Sequence, residues 1–314
     1  MPDYGALLDA EVWAYITRSE GFYPPDAVDL TIAEQRAVYD TMCAAFHQGR
    51  PATVTVTDEP LGGVSCRRYE RGNSDSDITV IYYHGGGFVV GGLDSHDDIC
   101  AEICDLTGYR VVSVDYALAP EHPFPRCFND AWSAATAIAA QWRGPLLLAG
   151  DSAGGNLAAA VAHYARGRLD ERIAGQVLIY PGLGGDWGQG SYVEHAEAPQ
   201  LSTRDMEFYM KIRCGGAAPP QGDPRYAPLH DTDFAGLPPT VLITAQCDPL
   251  SSDGGAYRDA LLAAGGQAVW TEEPGLVHGY LRARVMSQRA AESFDRVVAA
   301  LTALGRGDWP AVVG

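Results

Sequence analysis

No apolar run in this 314-residue sequence approaches the roughly 20 residues that a membrane-spanning helix needs. Met1-Pro2-Asp3-Tyr4 carries neither the basic nor the apolar stretch of a secretory leader, so a cytoplasmic chain is expected. Lysine is nearly absent, with Lys211 alone, and 22 basic residues face 40 acidic ones for a net charge of −18. That excess repels nucleic acid and anionic membrane, and neither is expected as a partner. A solvated acidic surface that aids solubility accounts for the charge, with adaptation to salt as the sharper alternative. The seven cysteines are an odd number and include no CxxC pair. Cys100 and Cys104 lie one helical turn apart without His or Cys at zinc spacing, so free buried thiols and no metal are expected. Internal repeats and low-complexity tracts are also missing. What is present is a chain 46% hydrophobic, long enough for one large α/β domain.

The first fifty residues read as helical. Thr31-Ile32-Ala33-Glu34 forms a capping box, and Val38, Met42 and Phe46 mark one apolar face behind it. Thr53 to Thr57 and Val64 to Tyr69 read as strands, separated by the turn signal Pro60-Leu61-Gly62-Gly63. Strand and helix signals then alternate, with apolar strands at Ile78 to Tyr83, Tyr109 to Val114, Pro145 to Ala149, Gln176 to Tyr180 and Thr240 to Ala245, and an extended piece at Ala268 to Thr271. Such alternation implies an α/β fold with a mostly parallel sheet covered on both faces. Gly182 to Leu237 breaks the rhythm, rich in Gly, Pro and aromatics around a helical piece from Ser202 to Cys214. Insertions of this length are more often functional lids than plain loops. A helical cap built from about 1–48 and 182–237 is therefore expected over a core of 49–181 and 238–314.

Gly150-Asp151-Ser152-Ala153-Gly154 is the only GxSxG, set between the strand signal PLLLA and the helix signal GGNLAAAVAHYAR. A serine there sits on a tight turn that exposes its hydroxyl at the sheet edge, with flanking glycines because a Cβ would clash. A Gly-rich turn that merely binds phosphate is the blander alternative. His84-Gly85-Gly86-Gly87-Phe88 follows the strand ending at Tyr83, and consecutive glycines let backbone amides face a cleft. Such donors, aimed at an alkoxide, are typically worth a factor of about 10² to 10³ in rate. A phosphate loop would need a Lys-Ser/Thr pair that this loop lacks.

A serine hydroxyl needs a histidine to take its proton and a carboxylate to orient that histidine. On this architecture the chain order is Ser, acid, His, each at the carboxyl end of a strand. Asp248 follows the strand Thr240 to Ala245, and His278 follows Ala268 to Thr271 through Pro274-Gly275-Leu276-Val277. Asp253 is a competing acid but lies further from the strand end. His230 precedes the strand and His163 is mid-helix, where packing or solvation accounts for it.

From Ile78 to His278 the chain resembles the hormone-sensitive-lipase-like family, the bacterial family IV esterases of the α/β-hydrolase superfamily, in its GDSAGG branch. HGGGF, GDSAGG, the element Asp115-Tyr116-Ala117-Leu118-Ala119-Pro120-Glu121-His122-Pro123-Phe124-Pro125, and the DPL and HG elements at Asp248 and His278 carry the resemblance. Ala117 stands where that family has Arg, and Tyr280 where Phe is commoner. The resemblance implies a cofactor-free carboxylesterase for small, short-acyl esters, an N-terminal and inserted cap, and in many members a homodimer. It also implies oxyanion donors at the amides of Gly86, Gly87 and Ala153, with His84 and Gly85 shaping the loop. Ser152, Asp248 and His278 are the expected catalytic residues. An amidase or acyltransferase would use the same triad, and a ligand-binding receptor on this fold would have lost the histidine. Cap aromatics Trp13, Tyr23, Trp187, Phe208 and Tyr209 are candidates for the pocket wall, with packing inside the cap as the alternative.

Overall fold

The computed structural model describes residues 2–24, 30–72 and 74–309. Eight strands form one sheet in the order β1-β2-β4-β3-β5-β6-β7-β8. They are β1 (Val54–Leu61), β2 (Val64–Arg71), β3 (Thr79–Tyr83), β4 (Arg110–Val114), β5 (Leu146–Asp151), β6 (Ile173–Ile179), β7 (Thr240–Cys247) and β8 (Ala268–Val277). β1 pairs with β2, and β2 with β4, antiparallel; the pairs from β4 through β3, β5, β6 and β7 to β8 are parallel. A parallel pair needs a crossover, and helices supply it on both faces. That is why β3 and β5 are buried at every residue and read as near-continuous apolar runs.

Alternation along each strand separates two cores. Val80 and Tyr82 of β3 join the cluster containing residues of α4 (Asp97–Thr107) and α10 (Gln288–Gly305), with Tyr15 and Ile16 of α2 (Ala10–Glu20). Ile81 and Tyr83 join the opposite cluster, formed with α5 (Arg126–Gln141), α6 (Ala153–Ala165) and α9 (Ser251–Ala263). Burial of side chains this size contributes about 1.5–3 kcal/mol each, so the sheet is anchored from both sides. Where the strands end, the chain turns toward the site.

Helices form on either side of residues 25–29, which lie outside the described residues, and the expected capping box is present. The Thr31 amide donates to Glu34 Oε2 at 2.8 Å, and the Glu34 amide donates to Thr31 Oγ1 at 3.3 Å. The box starts α3 (Ile32–Phe46), which buries Met42 and Phe46. From α3, Arg36 donates to the carbonyls of Val89 and Ala119 and pairs with Glu121, tying the helix to the chain beyond the HGGG loop.

Two boundaries need correction. Pro60 and Leu61 are the end of β1 rather than a turn; the reversal is confined to Gly62 and Gly63, both at positive φ. β1 is an edge strand, where a residue without an amide hydrogen is tolerated. The extended piece at Ala268 also runs on as β8 to Val277, through Pro274 and Gly275, again at an edge, with a register shift opposite Ala245 and Cys247. All seven cysteines are free, and six are buried. Among the described residues no helix is long and apolar enough to cross a membrane.

Candidate active site

β5 ends at Asp151 and α6 begins at Ala153, leaving Ser152 alone in the junction. Its φ of 53° is a conformation that an L-residue adopts only under constraint. The constraint is visible on both sides. The Ser152 amide donates to the Ile179 carbonyl at 2.9 Å, and the Ser152 carbonyl accepts from Asn156 at 3.1 Å. A Cβ on Gly154 would lie 1.8 Å from the Tyr83 carbonyl oxygen, and one on Gly150 2.5 Å from it. Only glycine lets the turn press this closely against β3.

The candidate acid and base meet this serine from two neighbouring strand ends. His278 follows β8 directly, and its Nε2 lies 2.9 Å from Ser152 Oγ. Its Nδ1 lies 2.7 Å from Asp248 Oδ2. A proton on Nδ1 donates to Asp248, which leaves Nε2 as the acceptor for the Ser152 hydroxyl. Asp248 is fully buried, and its other oxygen accepts from the Leu250 amide at 2.9 Å. Tyr180 packs edge-on against the His278 ring at 4.8 Å and fixes its plane. Ser152, Asp248 and His278 are thus brought together as one chain of hydrogen bonds.

The HGGG loop lies beside them. Gly86 and Gly87 have φ of 120° and 61°, and Gly86 accepts from the amides of Val89 and Val90 in a tight turn. Among the described residues no acceptor pairs with the amides of Gly86, Gly87 or Ala153, and all three residues line the same cavity as Ser152 and His278. Three free donors beside the Ser152 hydroxyl suit an anionic oxygen. His84 is buried, stacked on Tyr116 at 4.3 Å, with its Nδ1 2.7 Å from the Gly85 carbonyl. Burial pulls its pKa down to about 3, so it stays neutral and holds the loop.

Asp151 is a site residue that the sequence pattern passes over as the variable position of GxSxG. Its carboxylate accepts from Tyr82 Oη at 2.8 Å and from the Gly85 amide at 3.0 Å, and His96 Nε2 lies 3.2 Å away. Burial raises its carboxyl pKa, but His96, through charge and hydrogen bond, and the Tyr82 bond reverse this and leave it well below the usual range. Nothing in a linear motif announces His96, which reaches Asp151 only through the fold. The competitors fall elsewhere. Asp253 is buried in α9, accepting from the Leu183 amide at 2.6 Å and from Tyr192 Oη at 2.9 Å. His163 bonds Asp231 at 2.6 Å and Tyr257 at 2.9 Å, as a packed core histidine. His230 lines the cavity without joining the hydrogen-bonded chain.

Above the serine opens a cavity of about 850 Å³. Its wall takes Tyr15 and Tyr23 from the N-terminal region, and Trp187, Tyr209 and Arg213 from the segment after Tyr180. Of the aromatics named from sequence, Tyr23, Trp187 and Tyr209 reach the cavity, while Trp13 and Phe208 are exposed and do not line it. Tyr209 lies in α8 (Thr203–Arg213) against the HGGG loop, so close that a Cβ on Gly87 would meet its ring at 2.7 Å. Where the motif has Ala117, the backbone amide is held by Asp130 Oδ2 at 3.0 Å, and Arg126 takes the other oxygen. Among the described residues no group of three or more His, Cys, Asp or Glu is placed to hold a metal ion.

Comparison with known proteins agrees with this fold. The sequence pattern described as "alpha/beta hydrolase fold" matches residues 80–282. "Carboxylesterase NlhH" of Mycobacterium tuberculosis is 38% identical over 230 residues, covering 71% of this chain and 72% of the relative. "Ethyl acetate hydrolase" of Pseudomonas putida is 32% identical over 234 residues, covering 71% and 72%. The hyperthermophilic esterase of Pyrobaculum calidifontis superposes with a TM-score of 0.84 at 30% identity, over 94% of this chain and 98% of that one.

Proposed function

This chain is a carboxylic ester hydrolase of the α/β-hydrolase family, bearing the HGGG and GDSAGG motifs of its hormone-sensitive-lipase-like branch, and from that premise we propose that Ser152 is its nucleophile, acting on small, short-acyl esters. The observation that carries the assignment is the continuous chain from Ser152 Oγ to His278 Nε2 at 2.9 Å and from His278 Nδ1 to Asp248 at 2.7 Å.

In the proposed cycle Oγ forms a bond to the ester carbonyl carbon as its proton passes to Nε2 of His278. The amides of Gly86, Gly87 and Ala153 receive the oxygen that turns anionic. His278 then gives the proton to the departing alcohol as the carbon–oxygen bond breaks, leaving an acyl group on Ser152. Water repeats the sequence and releases the acid. Asp248 keeps the Nδ1 proton in place and stabilises the cation that forms on His278. The similarity to an ethyl acetate hydrolase supports short esters as the substrates.

The segments 1–48 and 182–237 serve in this reading as the cap, since the cavity wall is drawn largely from them. A cofactor-free enzyme, with the homodimer found in many members of that family, completes the reading on the strength of the family likeness. Turnover of p-nitrophenyl butyrate by the protein and by Ser152→Ala tests it. A loss of about 10³-fold or more is expected. Unchanged turnover would remove Ser152 from the mechanism, and a preference for decanoate over butyrate would remove the short-chain assignment.

A further inference from the structure

Arg213 ends α8 in the cavity wall, with 5% of its surface exposed. Its hydrogen bonds go to neutral oxygens: the Tyr226 carbonyl at 3.2 Å and Asn156 Oδ1 at 3.2 Å. Its Nε is buried with no partner. Among the described residues no carboxylate pairs with it, and nearby Asp223 is taken by Arg225. A guanidinium has five donors and a fixed positive charge, and buried charges are ordinarily paired because an unpaired one is costly. The rings of Phe88 at 3.6 Å and Tyr226 at 4.1 Å offset part of that cost through their π faces. They do not supply a counter-ion.

The position of this unmatched charge is informative. Phe88 follows the HGGG loop, and Asn156 lies one helical turn beyond Ser152; both line the cavity with Arg213. The other guanidinium in the wall, Arg282, donates to Tyr39 Oη and the Ser95 carbonyl and faces His96, which bonds Asp151. Arg282 therefore has an acid one residue away, whereas the acid near Arg213, Asp223, is already held by Arg225. Of the cavity's other acids, Glu20 and Asp205 are exposed to solvent, where their charge is screened.

We propose that Arg213 determines specificity by pairing with a carboxylate on the substrate, so that the preferred esters are half-esters of short dicarboxylic acids or similarly small carboxylate-bearing esters. This rests on the assignment of Ser152 as the nucleophile. The chemistry is unchanged: Ser152 Oγ bonds to the ester carbonyl, the alkoxide leaves with the proton held by His278, and water frees the dicarboxylic acid. The guanidinium would engage the distant carboxylate by charge-assisted hydrogen bonds, which a neutral amide of the same shape cannot match.

The test compares monoethyl succinate and monoethyl glutarate with their neutral isosteres, ethyl succinamate and ethyl glutaramate. The protein is expected to favour the charged member of each pair by about ten- to a hundredfold in kcat/KM, mainly through KM. Arg213→Met should bring that ratio to about one, and Arg213→Lys should retain part of it. The ratio compares two substrates on one enzyme, so a less stable variant does not obscure it. A cation that only clamps Phe88 and Tyr226 would leave the ratio the same in all three proteins. Equal turnover of charged and neutral members by the unmutated protein overturns the proposal while leaving Ser152 in place. No turnover of these four esters or of p-nitrophenyl butyrate overturns the nucleophile assignment itself.

Discussion

The Gly85 amide donates to Asp151 Oδ1 at 3.0 Å, joining the residue before the candidate nucleophile to the loop of candidate oxyanion donors. β3 and β5 are neighbours in the sheet, so the two turns that follow them leave side by side. The carboxylate also collects Tyr82 and His96, and a Cβ on Gly85 would meet Asp151 Oδ2 at 2.3 Å. Serine and oxyanion loop are thereby held in one register. Asp151→Asn keeps the shape but loses the charge, and it cannot accept from all these donors at once. We expect kcat for p-nitrophenyl butyrate to fall by about tenfold or more with KM little changed, a fraction of the 10²–10³ lost when an oxyanion donor is removed outright. Unchanged kcat would mean that the loop is held without Asp151.

Asp248 tests the other end of the hydrogen-bonded chain. Asp248→Asn fits the same space and can still accept from Leu250, whose amide now uses one oxygen. Toward His278 it presents a group that can donate, which favours the tautomer with the proton on Nε2. That proton blocks the acceptor facing Ser152. The expected result is a loss of roughly 10³-fold or more in kcat, with the melting temperature close to that of the unmutated protein. Comparable activity in the two proteins would make the acid dispensable; Asp253, which faces Leu183 and Tyr192 rather than His278, is not placed to replace it.

Much of this site is legible in the sequence, because its parts are local. Strand, tight turn and helix around Ser152, and the glycines of the HGGG loop, are backbone requirements that leave their mark in consecutive residues. Asp248 and His278 could be found because the sheet order puts each at a strand end. His96 and Arg213 carried no such mark. His96 opens a helical stretch among acidic residues, and Arg213 closes the helical piece Ser202 to Cys214, in which only the aromatics Phe208 and Tyr209 stand out. Periodicity tells which face of a helix is apolar, not what packs against its end. The end of α8 happens to press on Phe88 and Tyr226, and only the fold reveals that. The two misplaced strand limits have the same origin, since proline and glycine forbid a central strand but not an edge.

Two buried groups outside the triad should leave opposite marks on stability against pH. Burial holds His84 neutral, its pKa drawn down from 6.5 to about 3. Between those values the unfolded chain binds a proton there and the folded one does not, so His84 contributes stability that is lost as pH falls. Burial acts the other way on Asp253, raising its carboxyl from 3.8 to about 6 against the opposing bonds from Leu183, Tyr192 and the neighbouring glycine amides. There the folded chain keeps the proton longer, and the contribution is lost as pH rises from 3.8 to 6. Between about pH 4 and 6 the two slopes oppose, each bounded by about 1.4 kcal/mol per pH unit for one proton. Asp253→Asn removes the falling slope, so its stability relative to the unmutated protein should climb across that window. His84→Asn removes the rising slope, and its relative stability should decline. Urea denaturation at half-unit steps of pH measures both differences, and because each is a slope, a lower baseline in either variant does not mask it. Parallel curves for all three proteins would show that neither group changes its proton affinity on folding.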